Sequence, residues 1–317
     1  EIQTMRIVTA ETVARLLDPA SLVERLRQMF QAEVTVPLRH HHHVPSSEGG
    51  GTLLLMPAWR TDHHIGIKCV TVFPGNPARS LPSVSGLYLL LDGRTGVPLT
   101  QIDGVSLTLA RTAAASALAS GFLSRTDSRR LLMVGAGALA PHLIAAHSTV
   151  RPIAEVAIWN RHPEKAAGLA ARLDRPGLAV RAVEDLAGAA RDADLISCAT
   201  LSRTPLIQGD WLKPGCHLDL VGGFTPEMRE ADDRALQRAS IFVDTRAGAG
   251  QEAGDIVEPR GRGVIRDSDI RADLFELCRS TASGRRHAAE ITLFKSVGTA
   301  LEDLAAAELV LERLACA

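Results

Sequence analysis

The sequence predicts an α/β protein whose second half forms a doubly wound parallel sheet. From Arg130 onward, short apolar runs alternate with helical segments at the spacing of βαβ units. A glycine turn, Gly135-Ala136-Gly137, follows the first of these runs. Between Val36 and Asp103 the pattern differs, because strand-like segments are separated there by Gly, Pro, Ser and Asp. We therefore expect a second α/β domain beside the parallel sheet.

Composition and charge limit the classes of function that the protein can have. The 317 residues are 46% hydrophobic and 22% charged, which is typical of a globular chain with one large or two smaller domains. The formal net charge of −1 argues against a nucleic-acid partner or an acidic membrane surface. We expect neither a membrane span nor a signal peptide. The five cysteines form no C-x-x-C pair, which favours reduced thiols in the cytoplasm.

The first region opens with two short helices and continues as strands. Thr9 is suited to cap the first helix, and Asp18-Pro19 provides an N-cap and a first helical residue for the second. A hairpin turn is expected at Asp92–Gly96. The predicted strands are Val36–His43, Thr52–Met56, Ile65–Phe73, Gly86–Leu91 and Leu99–Asp103.

An Ala-rich helix, Leu107–Leu123, leads into the parallel sheet. A C-terminal helix, about Gly298–Leu314, carries an apolar stripe that we expect to pack on the first region. The predicted division is therefore a discontinuous domain, residues 1–122 and 298–317, with a dinucleotide-binding domain at 123–297. The predicted strands of the second domain are Leu131–Val134, Glu155–Trp159, Ala179–Ala182, Leu195–Cys198, His217–Val221, Ile241–Thr245 and Glu290–Phe294.

The glycine turn predicts a dinucleotide site of the Rossmann type. Gly135 permits a sharp turn after the strand, and Gly137 lets the backbone approach a pyrophosphate. The N–H groups of a helix predicted to start at Ala138 can bind that phosphate. Because the third small residue is Ala140, the motif is G-x-G-x-x-A, and a glycine turn in any other α/β domain is the alternative.

The end of the second strand favours NADP(H) over NAD(H). Residues Asn160 and Arg161 follow Trp159, where an NAD-binding domain carries an Asp or Glu for the ribose 2′-hydroxyl. The guanidinium of Arg161 is suited to a 2′-phosphate instead. The alternative is a solvated loop arginine.

Two cations stand in apolar surroundings. Lys68 lies within the strand GIKCVTVF, and Arg111 lies in LTLARTAAAS. A buried ammonium needs an anionic partner or a polar cleft. Either an ion pair holds the sheet together, or the cations form a pocket for a small carboxylate.

Four consecutive histidines, His40–His43, raise the question of a metal site. Successive strand residues point to opposite faces, so at most two can converge on each side. Because no acidic or cysteine ligand stands at suitable spacing, we expect no metal, and the histidines are strand residues or part of a pocket wall.

The chain resembles the ornithine cyclodeaminase/μ-crystallin family. The resemblance rests on the run from Lys68 to Ser120, on WNRHPEKA, on VGGFTPEMREADD and on LFKSVG. It implies a dimerising, substrate-binding domain built from both chain ends, with a Rossmann domain between them. It also implies a homodimer and a small amino- or imino-acid substrate.

The resemblance assigns roles to individual residues. Arg39, Lys68 and Arg111 match the cations that bind the substrate carboxylate and serve catalysis, and Lys68 is the expected catalytic residue. Thr112 matches a hydroxyl near the cofactor phosphates. The predicted cofactor-binding residues are Thr112, Gly135, Ala136, Gly137, Ala138, Asn160, Arg161, Thr200 and Gly222.

Two departures from the family pattern bear on the reaction. Members that cyclise ornithine carry a Glu and an Asp at the positions of Leu54 and Phe224. The residues here indicate an apolar wall and a reductase of cyclic imines, that is, of Δ1-pyrroline-2-carboxylate or Δ1-piperideine-2-carboxylate. Ornithine cyclodeaminase, an amino-acid dehydrogenase and a μ-crystallin-like NADPH-binding protein are the alternatives. Glu227 or Glu230 could replace the missing acid.

Overall fold

The computed structural model of the protein describes residues 5–46 and 49–316, which divide into two compact units. Unit 1 comprises the chain up to Thr112 and again from Thr299 onward, and unit 2 is Ala113–Gly298. The division falls inside one long helix, α3 (Gly104–Leu123), ten residues before the boundary expected from the sequence. No helix within the described ranges is long and apolar enough to cross a membrane.

Unit 1 is built on a six-stranded sheet in the order β1-β6-β5-β4-β3-β2. Strands β2 to β6 pair antiparallel, and β1 pairs parallel with β6. The strand predicted from Val36 begins only at His40, because Pro37 has no N–H for a ladder. The three-residue β1 was not predicted. The strands are β1 (Arg6–Val8), β2 (His40–Val44), β3 (Gly51–Trp59), β4 (His64–Val72), β5 (Val84–Asp92) and β6 (Pro98–Asp103).

Besides the first part of α3, the described residues of unit 1 form the α-helices α1 (Ala10–Leu16), α2 (Pro19–Gln31) and α11 (Ala300–Ala315). Thr9 and Asp18 cap α1 and α2 with their side chains, as predicted. Helix α11 packs on α2 and on strands β3, β4 and β5. The C-terminal helix therefore covers one face of the sheet built by the first part of the chain.

The two faces of this sheet differ in burial. On one face the cross-strand row Met56, Lys68, Tyr88 and Ile102 is almost completely buried. Residues of the same strands that point the other way, such as Leu55, Ile67 and Leu89, are apolar yet only half-buried. Lys68 therefore lies on the covered face, in the interior of unit 1.

Unit 2 is built on eight parallel strands in the order β13-β12-β14-β11-β10-β7-β8-β9. Three predicted strands have the predicted bounds, and the four-residue β13 was not predicted. The strands are β7 (Arg130–Val134), β8 (Glu155–Trp159), β9 (Ala179–Ala182), β10 (Leu195–Cys198), β11 (His217–Leu220), β12 (Ser240–Val243), β13 (Ile270–Asp273) and β14 (Thr292–Lys295).

Helices connect the strands of unit 2. Strand order reverses beside β7, since the chain continues to β8 and β9 on one side and then to β10 on the other. In open α/β sheets, ligands bind at such a switch point, at the carboxyl ends of the strands. The helices are α4 (Ala140–Val150), α5 (Pro163–Leu173), α6 (Leu186–Asp192), α7 (Asp233–Arg238), α8 (Arg246–Glu252), α9 (Gly254–Gly261) and α10 (Leu274–Cys278).

Candidate active site

The glycine turn lies at the switch point, directly after β7. Gly135 has a φ of 110°, and a Cβ on it would lie 2.6 Å from the carbonyl oxygen of Ala199. Only glycine fits there without strain. By contrast, a Cβ on Gly137 would meet no atom within 4 Å. The backbone at Gly137 is therefore open to a ligand.

Helix α4 begins at Ala140 rather than at Ala138, because the residues between them complete the turn. The residue before it, Leu139, makes no side-chain capping bond to the first turn. Free N–H groups at a helix start attract anions such as phosphate. The open turn and this uncapped start together fit the pyrophosphate of a dinucleotide.

A cavity of about 380 Å³ extends from the turn along the carboxyl ends of β8 and β10. Six predicted cofactor residues line it, whereas Ala138 is exposed and Gly222 packs against Thr200. Thr112 is half-buried in α3 within unit 1. The lining residues are Gly135, Ala136, Gly137, Trp159, Asn160, Arg161, His162, Lys165, Ala199, Thr200, Leu201, Ser202 and Leu206.

Unit 1 contains a buried cluster of four charged side chains. The Lys68 ammonium lies 2.7 Å from Oδ2 of Asp303. Arg111 donates from Nε to Oδ1 of Asp303 at 3.0 Å and from Nη1 to Oε2 of Glu302 at 2.6 Å. Each of the four residues is at most 5% exposed. The two cations therefore share two acids, and Nη2 of Arg111 has no part in these bonds.

Burial and the neighbouring cations shift the charge state of Lys68. Loss of solvent is the largest effect, and with the charges of Arg111 and Arg39 it lowers the pKa of Lys68 to about 8, although Asp303 opposes the change. Burial disfavours the charged form of Arg111, yet Asp303 and Glu302 outweigh this and raise its pKa. The Lys68 ammonium is therefore much closer to its titration point at neutral pH than an ordinary lysine.

The other predicted substrate residues occupy different positions. Arg39 is half-buried just before β2, and its charge reaches Lys68. Leu54 pairs with Val70 in the row beside Met56 and Lys68, on the same face of the sheet. Phe224 is 47% exposed on the loop after β11, in unit 2. Unit 1 thus brings Lys68 and Arg111 together, within reach of the Arg39 charge.

Comparison of the sequence with models of known protein families identifies its family. The model of the ornithine cyclodeaminase/mu-crystallin family matches residues 2–316. The protein belongs to this family. The resemblance noted from the sequence is thereby confirmed over almost its whole length.

Relatives and solved structures agree with this membership. The Δ1-pyrroline-2-carboxylate reductase of Colwellia psychrerythraea is 37% identical over 316 residues, covering 98% of this chain and 100% of that protein. The same enzyme from Thermococcus litoralis, in complex with NADH and L-proline, has a TM-score of 0.92 at 32% identity and 98% coverage of both chains. An archaeal alanine dehydrogenase dimer with bound NAD has a TM-score of 0.90 at 28% identity, covering 98% and 96%. The predicted α/β fold class is confirmed.

The two candidate acids of the later loop differ in their surroundings. Glu227 is exposed. Glu230 is fully buried, and both of its carboxylate oxygens accept hydrogen bonds from Thr200 and Gly222. In this member of the family, Glu230 is therefore part of the protein's own bonding.

Sequence reasoning missed Glu302 and Asp303, the anionic partners of the cluster. They lie in the first turn of α11, where acids are favoured by the helix dipole whether or not they have another partner. The only available signal was that buried cations in β4 and α3 require buried acids elsewhere. The sequence alone does not say which acids these are.

The histidine tetrad forms the edge strand β2 and is solvent-exposed. The rings of His40 and His42, which share a face, lie 6.2 Å apart in an edge-to-face arrangement. Within residues 5–46 and 49–316, no group of three or more His, Cys, Asp or Glu side chains is arranged to hold a metal ion.

Proposed function

We propose that this protein reduces a cyclic imine bearing a carboxylate, with a nicotinamide dinucleotide as hydride donor. The substrate is Δ1-pyrroline-2-carboxylate or Δ1-piperideine-2-carboxylate, and the product is L-proline or L-pipecolate. The observation that carries this proposal is the buried Lys68 ammonium, near the charges of Arg39 and Arg111. The relatives named above support the assignment, as does Leu54 in place of an acid.

In the proposed reaction, Arg39 and the Nη2 group of Arg111 bind the substrate carboxylate and orient the planar imine. Lys68 donates a proton from Nζ to the imine nitrogen, which makes the adjacent carbon more electrophilic. When bound, the nicotinamide supplies the hydride for that carbon. Asp303 holds Nζ at 2.7 Å and keeps the ammonium form available. Leu54 is the proposed apolar contact for the ring methylenes.

We further propose a preference for NADP(H) over NAD(H). Arg161, His162 and Lys165 line one end of the cavity, and none of the described residues that line it is Asp or Glu. The two cations among these residues, Arg161 and Lys165, suit a ribose 2′-phosphate. Arg161→Ala should raise the Kd of NADPH about tenfold and leave that of NADH nearly unchanged. Equal effects on both would refute the preference.

We also propose a homodimer formed through the half-buried sheet face of unit 1. Leu55, Ile67 and Leu89 lie on this face, and Leu87 beside them is 36% exposed. A contiguous apolar surface of this kind is typical of a subunit interface. The archaeal alanine dehydrogenase of the same fold is a dimer. Light scattering should give twice the chain mass, and Leu87→Lys should shift it towards the monomer.

A cytoplasmic location is proposed as well. Among the described residues, Cys69, Cys198, Cys216 and Cys316 form no disulfide. Free thiols are typical of a reducing compartment.

An amino-acid dehydrogenase is the second candidate, because the alanine dehydrogenase structure matches almost the whole chain. An assay of NADPH and NADH absorbance separates the candidates. Oxidation with either cyclic imine supports the proposal, and oxidation only with pyruvate and ammonia supports the dehydrogenase. Ammonia released from ornithine without net cofactor oxidation would indicate a cyclodeaminase. Tight NADPH binding without any turnover would indicate a binding protein.

A further inference from the structure

One buried carboxylate joins the ends of two adjacent strands in unit 2. Oε1 of Glu230 accepts hydrogen bonds from the N–H of Thr200 at 2.7 Å and from its Oγ1 at 2.8 Å. Oε2 accepts a bond from the N–H of Gly222 at 2.8 Å. Thr200 follows β10, and Gly222 follows β11. Glu230 therefore fastens both loops at the edge of the sheet where a ligand binds.

The backbone of the two loops packs tightly around this carboxylate. A Cβ on Gly222 would lie 2.0 Å from the carbonyl oxygen of Thr200 and 2.5 Å from Oε1 of Glu230. Glycine is therefore required for the two loops to approach this closely. Three donors on one carboxyl group favour its ionised form, because a proton on either oxygen takes up an acceptor position.

Two further buried side chains hold Glu230 in place. The backbone N–H groups of Glu230 and Ala231 donate to Oδ1 of Asp255 at 2.8 and 3.1 Å. The Lys295 ammonium lies 3.3 Å from Oδ2 of Asp255. Glu230, Asp255 and Lys295 are each 0% exposed. Together they link β10, β11, β14 and α9, and we name these three residues the strand-end clamp.

Thr200 connects the strand-end clamp to the cofactor cavity. It lines the cavity together with its neighbours Ala199 and Leu201. Ala199 also packs directly against Gly135, since a Cβ built on that glycine would lie 2.6 Å from the Ala199 carbonyl oxygen. A shift of Thr200 would therefore change both the wall of the cavity and the surroundings of the glycine turn.

We propose that Glu230 is a positioning residue for the dinucleotide, because it fixes Thr200 and Gly222 in the geometry that the cofactor requires. This inference rests on the proposed function only through its dinucleotide. Glu230 acts through Thr200 and is not itself a catalytic residue. The strand-end clamp is needed for cofactor affinity beyond any need for it in folding.

The clamp should make cofactor binding sensitive to pH. Burial is the main cause that raises the pKa of Glu230 to about 7, with Asp255 contributing and Lys295 opposing. The facing groups are Asp255 from α9, Lys295 from β14 and Cys198 from β10. Below this pH Glu230 gains a proton and loses an acceptor, so cofactor affinity should rise as pH increases through 7.

The test compares Glu230→Gln with Glu227→Gln, its exposed neighbour on the same loop. NADH fluorescence titrations should give a Kd about tenfold or more higher for Glu230→Gln, since a bond to a charged acceptor is lost, and an unchanged Kd for Glu227→Gln. Between pH 6 and 8.5 the NADH Kd should fall for the wild type and stay flat for Glu230→Gln. NADH is chosen because the 2′-phosphate of NADPH titrates near pH 6 itself.

Folding is followed by circular dichroism in the same samples. A folded Glu230→Gln variant with wild-type Kd and pH profile would overturn the inference. If this variant fails to fold, Thr200→Val removes only the hydroxyl bond, and a Kd equal to that of the wild type would then overturn it. A wild-type protein that binds neither NADH nor NADPH would refute the proposed function itself, whatever the variants do.

Discussion

Two buried lysine–aspartate pairs, one in each unit, have the same chemistry and different surroundings. Lys68 and Asp303 lie 2.7 Å apart in unit 1, and Lys295 and Asp255 lie 3.3 Å apart in unit 2. Next to the first pair are two further cations, Arg111 and Arg39. Next to the second is a further acid, Glu230.

The charged groups and hydrogen-bond donors around each pair determine its chemical role. Burial, together with the charges of Arg111 and Arg39, lowers the pKa of Lys68 to about 8, so its proton is held less tightly than that of an ordinary lysine. At the second pair, Asp255 accepts two backbone N–H groups and orders a loop. A buried ion pair is thus not evidence of a catalytic site by itself. The charges and donors around it distinguish proton transfer from positioning.

The largest expected effect is the loss of turnover in Lys68→Met. General acid catalysis contributes about 10²- to 10⁴-fold, so kcat/KM for the cyclic imine should fall by that factor. Asp303 keeps its bond to Arg111, which should preserve the fold. Stopped-flow or steady-state NADPH oxidation measures the change. Wild-type kcat/KM in this variant would eliminate the catalytic role of Lys68.

Lys295→Met should instead reduce stability. It leaves the buried Asp255 without its cation, and breaking a buried pair costs about 3–5 kcal/mol of the free energy of unfolding. Urea unfolding measures this change. Activity per folded molecule should fall far less than in Lys68→Met. A stable Lys295→Met protein with turnover as low as that of Lys68→Met would contradict the structural role assigned to the Lys295–Asp255 pair.

Asp303→Asn should have an intermediate effect, acting through Lys68. Asp303 raises the pKa of Lys68, so its removal should lower that pKa further and leave less of the donor form at neutral pH. A decrease of one unit would lower the protonated fraction at pH 8 from about one half to about one tenth, so kcat at that pH should fall about fivefold. The activity should partly recover at lower pH. A pH-independent loss would indicate a purely structural role for Asp303.

The smallest effect concerns the wild-type pH profile. Lys68 donates only when protonated, so kcat for imine reduction should be highest below pH 8 and decrease as pH rises through about 8. The profile is measured with saturating imine and NADPH. Glu227→Gln is the matched control, and its kcat should decrease over the same pH range as that of the wild type. A flat profile up to pH 10 would assign the proton to another donor.

The sequence by itself determined the features that depend on neighbouring residues. The apolar run before Gly135 and the glycines after it encode a strand and a turn locally, and the caps at Thr9 and Asp18 are equally local. Lys68 also stood out, because an ammonium inside an apolar strand needs a partner wherever the chain folds. Family motifs then supplied the expected roles.

Only the tertiary structure determines which charged side chains form ion pairs. Arg111 and Asp303 are 192 positions apart, and Asp303 in a first helical turn is equally well explained by the helix dipole. Glu230 was a candidate catalytic acid until its carboxylate proved to accept bonds from Thr200 and Gly222. Which buried charged side chains form ion pairs depends on which strands and helices pack together. The local sequence pattern does not contain this information.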